Sequence, residues 1–210
     1  GSLGSKDILI RYHREEGIYY CRYRDFETNK LQKFSSLQSL INHVFRSTKL
    51  HDFIVQQGIS LIRYEHQPVD FRVHTNKDAL GKWHVTVIAA KIAGKGSTTT
   101  HINNGGRVKT LEELFEQEKA KRIHDKLSTA ALKISESLDR QVDGHIGEIG
   151  FDIGVDKDEK IWLFEANSKP GRSIFSNPSF QENDKQIKKL FLEYATHLSK
   201  KGNELEVSMK

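Results

Sequence analysis

The sequence predicts an α+β fold, antiparallel sheets with flanking helices, and three observations carry that reading. Apolar–polar alternation recurs along the chain, most alternating runs are joined by short turns, and the helical stretches between them form no regular βαβ repeat. Short turns favour antiparallel neighbours, because a parallel pair needs a crossover of about a dozen residues or more.

The elements follow in order. Gly1-Ser-Leu-Gly-Ser5 reads as a small flexible loop, and Lys6 to Asp25 as a hairpin. In that hairpin Ile8, Ile10 and Tyr12 alternate, Glu15-Glu16-Gly17 turns the chain, and Ile18 to Tyr23 returns. Ser35 with Gln38 spells a capping box, and Leu37, Leu40, Ile41, Val44 and Phe45 share one face of the helix it opens. A short apolar strand, Phe53 to Gln56, leads into Gln57-Gly58-Ile59, near which the chain divides. After Pro68 come strands Val69 to Thr75 and Trp83 to Lys91, joined by a turn holding Asn76, Asp78 and Gly81. A loop of small polar residues runs from Gly94 to Gly105-Gly106. Thr110 with Glu113 spells a second capping box, opening a helical region, broken once, to about Arg140. Its apolar stripe is Leu111, Leu114, Phe115, Ile123, Leu127, Ala131, Ile134 and Leu138. A hairpin over Gly147 to Asn167 precedes a last helix carrying Ile187, Leu190, Phe191, Tyr194 and Leu198. That helix is expected to stop at Gly202 and leave a frayed tail over 203–210.

The bulk composition bounds the function classes. A net charge of +5 suggests a polyanionic partner, but the basic residues are spread out and offset by 28 acids. Without a zinc-finger or RNP-type pattern, this argues against nucleic acid and suits a pocket for phosphates. The one cysteine, Cys21, excludes an internal disulfide framework and fits a reducing, cytoplasmic setting. No apolar run approaches the ~20 residues that span a bilayer, so the chain reads as soluble, without a membrane partner.

The Gly147–Asn167 hairpin carries the most informative chemistry. Phe151, Ile153 and Val155 alternate on its first strand and Trp162, Phe164 and Ala166 on its second, with 156–160 as the turn. A symmetric turn is expected to pair Asp152 with Glu165 directly. Facing carboxylates need protonation, a cationic partner or a metal. Asn167, two residues on, adds a neutral oxygen, and the set suits Mg²⁺ shared with phosphates. The plain alternative is a solvent-facing acidic hairpin. Upstream, Val69, Phe71 and Val73 bury one face of a strand while Asp70, Arg72 and His74 take the other. Arg72 offers a planar fork for phosphate oxygens, and Lys91 ends the neighbouring strand, unless both lie on a solvated face. The Gly1–Ser5 loop could fold over phosphates with its backbone N–H groups and hydroxyls, or be a vector-derived tail. Gly94-Lys95-Gly96-Ser97 lacks Walker A spacing. His101 and His74 are the candidate bases, each also readable as a plain hydrogen-bonding residue.

In this order the pieces resemble the later two thirds of an ATP-grasp domain: the Gly-rich loop, the hairpin, Ile54 to Ile59, Asp70-x-Arg72, Lys91, Gly105-Gly106, and Asp152 with Glu165-x-Asn167. Gly1 to Gly4, Pro68 to Val73 and Trp162-Leu-Phe-Glu-Ala-Asn-Ser-Lys-Pro-Gly-Arg172 resemble more narrowly its YheC/YheD endospore-coat-associated branch. The resemblance implies ATP and Mg²⁺ as cofactors. It implies Asp152, Glu165 and Asn167 as metal ligands and Arg72 and Lys91 as catalytic cations at the γ-phosphate. Gln56, Gln57, Gly58 and Ile59 would read adenine, with Ile54 and Val55 on the pocket wall. Ser2, Gly4 and Ser5 would lie in a lid over the phosphates. His101, Asn103, Gly105, Gly106, Lys169 and Arg172 would meet the substrate, with His101 standing where related glutamate-type ligases carry Asn.

The implied parent reaction is ATP-dependent ligation of an unidentified carboxylate to an amine or related nucleophile through an acyl-phosphate, in sporulation and with spore-coat partners. The alternative is a non-catalytic nucleotide-binding or structural coat protein. The expected division is 1–59, a partial nucleotide (lid) subdomain, 60–202, a catalytic and metal subdomain, and the tail. The N-terminal part of the nucleotide subdomain, with its phosphate-binding lysine, and a substrate domain are expected outside these residues.

Overall fold

A computed structural model describes residues 8–25, 28–45, 54–94 and 105–208. The first sheet is three antiparallel strands in chain order: β1 (Ile8–His13), β2 (Ile18–Asp25) and β3 (Thr28–Phe34). The expected hairpin forms with Ile8 opposite Tyr23, turning through Gly17 at φ +64°. Cys21 is buried within it. The sequence gives no sign of β3, because its apolar residues are only Leu31 and Phe34, and Leu31 is 55 % exposed. Helix α1 (Leu37–Val44) is capped by Ser36 rather than Ser35: the Ser39 N–H donates to Ser36 Oγ at 3.1 Å, while Gln38 bonds to Asn42. Residues 54–60 form no regular element, so the expected strand is absent over 54–56. Phe53 lies outside the described residues.

The second sheet has six strands: β4 (Arg63–Tyr64), β5 (Gln67–Lys77), β6 (Trp83–Ile92), β7 (Arg107–Lys109), β8 (Glu148–Val155) and β9 (Ile161–Asn167). The order is β7-β6-β5-β8-β9 with β4 beside β5, and every pairing is antiparallel. β4 and β7 are too short to show alternation. β5 is central, so Val69, Phe71 and Val73, all fully buried, meet Phe151, Ile153 and Val155 of β8 and Ile88, Ala90 and Ile92 of β6 on one face.

Helix α2 (Gln117–Gln141) covers that face with Ile123, Leu127, Ala131 and Ser135, four residues apart and fully buried. Burying each large side chain contributes about 1.5–3 kcal/mol. Ser135 is tolerated there because its hydroxyl lies 2.7 Å from Thr75 Oγ1. The Thr110–Glu113 capping box forms, with Glu113 accepting the Thr110 N–H at 2.7 Å. It closes one turn, where the Leu114 and Phe115 N–H groups donate to Leu111 O, and α2 begins afresh after Glu116. The single break expected there is therefore real.

Two short 3₁₀ turns, Ser173–Ser176 and Pro178–Phe180, lead into α3 (Gln181–Ser208), and all three lie against the opposite face of the sheet. Ile174, Phe175, Phe180 and Ile187 pack there on Val87 and Ala89. α3 continues through Gly202, where the sequence marks a stop. One glycine costs a helix about 1 kcal/mol, too little to end it without a proline or a capping partner. Among the described residues no helix is long and apolar enough to cross a membrane.

Candidate functional site

Strand parity builds the site. Residues one step from the α2-facing core point to the other face: Asp70, Arg72 and His74 on β5, Lys91 on β6, Glu148 and Asp152 on β8. Register then sets the neighbours. Arg72 lies opposite Asp152 on one side and Ala89 on the other, and Lys91 lies opposite Asp70.

The result is a compact group of four charges. Arg72 Nε and Nη2 donate to the two Asp152 oxygens at 3.0 and 3.1 Å, and Lys91 Nζ donates to Asp152 Oδ1 at 2.8 Å. Lys91 Nζ also lies 3.3 Å from Asp70 Oδ1. The Arg72 and Asp152 side chains are only 15 % and 14 % exposed. Burial pushes the Asp152 carboxyl up, but the Lys91 and Arg72 charges and their hydrogen bonds outweigh it and hold the group below the usual carboxylate value.

Asp152 does face Glu165, for a reason other than a symmetric turn. The turn pairs Val155 with Ile161, Gly154 with Trp162 and Ile153 with Leu163, a register that would bring Phe164 opposite Asp152. A bulge between Ile153 and Asp152 absorbs Phe164, and Glu165 moves into the partner position. The expected alternation of Trp162, Phe164 and Ala166 breaks at the same point. Ile161 and Leu163 take the core-side positions, and the Phe164 ring closes on Gly154, where an added Cβ would meet Phe164 Cζ at 2.5 Å. Asn167 pairs with Gly150, so Asp152, Glu165 and Asn167 occupy same-face positions. Glu165 is exposed and makes no ion pair with a described residue.

A second polar chain continues along this face. His74 Nδ1 lies 3.4 Å from Glu148 Oε1, Arg172 Nη1 donates to the same oxygen at 3.3 Å, and Arg172 Nε donates to Asp184 on α3 at 3.0 Å. Burial lowers the pKa of His74 despite Glu148, which favours the neutral ring. Burial would raise Glu148, but the His74 hydrogen bond and the Arg172 charge bring it below the usual range. His74 is fully buried and edge-on to Phe175 at 5.5 Å, which removes it as a base exposed to solvent. Glu148 was legible from the parity it shares with Asp152. Asp184, 36 positions away in α3, gave no signal.

The other expected site residues are scattered. Ile54 and Val55 are 88 % and 95 % exposed, and Gln56, Gln57 and Gly58 are exposed beside the half-buried Ile59. Gly105, at φ +78°, would place a Cβ 3.9 Å from Gly94 Cα, so Gly94 and Gly105 lie side by side. Gly106 follows, half-buried, and Lys169 is exposed. Ser2, Gly4, Ser5, His101 and Asn103 lie outside the described residues.

Among the described residues no group of three or more His, Cys, Asp or Glu side chains gathers to hold a metal alone. Two carboxylates and an amide are instead the incomplete, all-oxygen set that Mg²⁺ accepts when phosphates and water complete its shell. The donor chemistry fits, with the condition that Asp152 is already shared by two cations.

Known proteins show the same relationship. Residues 1–198 match a family described as YheC/D like ATP-grasp. The chain is 48 % identical over 204 residues to the endospore coat-associated protein YheD of Bacillus subtilis, covering 96 % of this chain and 45 % of that protein. It is 26 % identical over 173 residues to the endospore coat-associated protein YheC of the same organism, covering 81 % of this chain and 44 % of that protein. The chain thus spans less than half the length of the curated relatives it matches. With the match running through both sheets and into α3 as far as residue 198, the chain belongs to the YheC/D-like ATP-grasp family.

Proposed function

We propose that the chain binds Mg·ATP on the β5-β6-β8-β9 face and contributes that site to an ATP-grasp carboxylate ligase. The observation that carries this reading is the convergence of Arg72 and Lys91 on Asp152, each donating to its carboxylate within 3.1 Å, flanked in register by Glu165 and Asn167. Asp152, Glu165 and Asn167 would hold Mg²⁺, which would supply neutralising charge to the phosphates. Arg72 and Lys91 stabilise the γ-phosphoryl group as it moves, a step governed mainly by positioning and fixed charge. Residues 1–59 act as the lid and adenine side, with Gln56 to Ile59 presenting backbone groups, and 60–202 as the phosphate and metal side.

In the reaction, a substrate carboxylate oxygen attacks the γ-phosphorus, the bond to ADP breaks, and an acyl-phosphate forms. An amine or related nucleophile then attacks the acyl carbon and expels phosphate. Arg172 and Lys169 are assigned to the carboxylate substrate, together with His101, Asn103, Gly105 and Gly106. The relatives are named as endospore coat-associated, which supports spore-coat association in sporulation.

Calorimetry with Mg·ATP tests binding. Asp152→Asn with Glu165→Gln is expected to weaken Mg²⁺-dependent nucleotide affinity by about tenfold or more while circular dichroism stays native. Unchanged affinity would remove the metal assignment. Phosphate release over a panel of carboxylates and amines tests ligation. Tight binding without release would instead support a nucleotide-binding coat protein.

A further inference from the structure

Two strands bring cations to Asp152 from one side, and β9 brings Glu165 to it from the other. Arg72 spends Nε and Nη2 on the Asp152 carboxylate, and Lys91 adds a third bond at 2.8 Å. A guanidinium fork and an ammonium around a near-planar oxyanion is also how these side chains hold a phosphoryl group. The donors assigned to phosphate are therefore committed to one of the residues assigned to the metal.

We infer that Asp152 is an internal occupant of the phosphate subsite, so that phosphate and Mg²⁺ binding are coupled through the exchange of one carboxylate. This rests on the phosphate-binding reading of Arg72 and Lys91 above. Without the metal, an incoming phosphate must displace Asp152 from Arg72 and leave that carboxylate beside Glu165, like charge against like. Without phosphate, a metal drawing on Asp152 must leave Arg72 poorly compensated at 15 % exposure. Each ligand relieves the cost of the other. Asp70, 3.3 Å from Lys91, keeps that lysine paired throughout, so Arg72 is the cation whose partner changes. Such a device disfavours capture of metal-free nucleotide or stray pyrophosphate and admits the Mg²⁺ complex.

The test uses pyrophosphate as probe on the purified protein, by calorimetry with Mg²⁺ or with EDTA. In Asp152→Asn the Arg72 fork is released, and metal-free pyrophosphate is expected to bind about tenfold or more tighter than in the wild type, while the Mg²⁺-dependent gain disappears. Metal-free affinity equal to or below that of the wild type overturns the inference. A second measurement does not depend on the variant folding. The Arg72 Nε–H resonance of ¹⁵N-arginine-labelled wild type, assigned by its loss in Arg72→Lys, is expected to shift when Mg²⁺ and pyrophosphate are added together and to stay put with either alone. An unmoved resonance in a protein that binds Mg·pyrophosphate rejects the exchange. Failure of the wild type to bind either Mg·ATP or Mg·pyrophosphate sinks the phosphate-site reading itself and this inference with it.

Discussion

At the residue scale, Asp152 shows how one carboxylate can be both buried and ionised. Its folded pKa lies below the ordinary 3.8, so its ion pairs are fully present above that value and are lost as pH falls through the lower folded value. The stability gap between wild type and Asp152→Asn, read from urea unfolding, is accordingly expected to be wide at pH 6 and to shrink as pH falls below 3.8. A gap independent of pH would mean that the pairing contributes no net stability. Gly150 is the second decisive residue. It sits between His74 and Asn167 in the ladder, and an added Cβ would overlap the Pro170 ring. Gly150→Ala is expected to cost about 1–3 kcal/mol by overpacking and to displace the 168–172 segment carrying Lys169 and Arg172. Wild-type stability by denaturant titration would contradict the close approach.

At the element scale, the β8–β9 hairpin was readable in its position, its strands and its acidic face, but not in its bulge. Period-2 alternation fixes which residues share a face only while both strands keep step. One extra residue, Phe164, reverses parity from there on, and its only sequence trace was an apolar residue where the register called for a polar one. The hairpin tip is pinned from outside. Glu159, at φ +58°, accepts from Arg122 Nη2 at 2.9 Å and Lys126 Nζ at 2.9 Å, both on α2, and these bonds bring its pKa down to about 2. The group therefore stays ionised well below the usual carboxylate range. Glu159→Gln is expected to lower the thermal midpoint slightly at low ionic strength and to have almost no effect in about 1 M NaCl, where screening removes exposed pairs. An undiminished effect in high salt would show that the tip is held by packing. The helices taught a similar lesson. The Thr110–Glu113 spacing gave a real capping box, whereas the Ser35–Gln38 spacing did not: Ser36 caps α1, because which hydroxyl reaches a free N–H depends on where the chain leaves β3.

At the scale of the whole molecule, Lys77 ties the layers together. Its ammonium donates to Asp139 of α2 at 2.7 Å and to the Tyr194 hydroxyl of α3 at 3.2 Å, and it lies 5.1 Å from the Trp83 ring centroid and 5.0 Å from that of Tyr194. Helices on opposite faces of the sheet thus meet at the end of β5. Asp139→Ala, which strands a lysine 6 % exposed, is expected to cost about 2–3 kcal/mol. Lys77→Met keeps the aromatic packing and removes the charge, and is expected to cost clearly less. The reverse order in chemical unfolding would show that the ion pair is incidental to the joint.

The sequence by itself determined the α+β class, the two turn-joined antiparallel pairs β5–β6 and β8–β9, the faces of β5 and β8, and a family likeness resting on short contiguous motifs. These are local properties: side-chain direction follows from backbone period, and turns follow from a few adjacent residues. Tertiary structure alone decided that Arg72 and Lys91 clasp Asp152 rather than stand free, that Glu165 reaches its partner through a bulge, and that His74 is sealed beneath Phe175. Each of those outcomes depends on strand order and register between segments up to about a hundred residues apart. Alternation sets the face a charge occupies, but not which other charge arrives beside it.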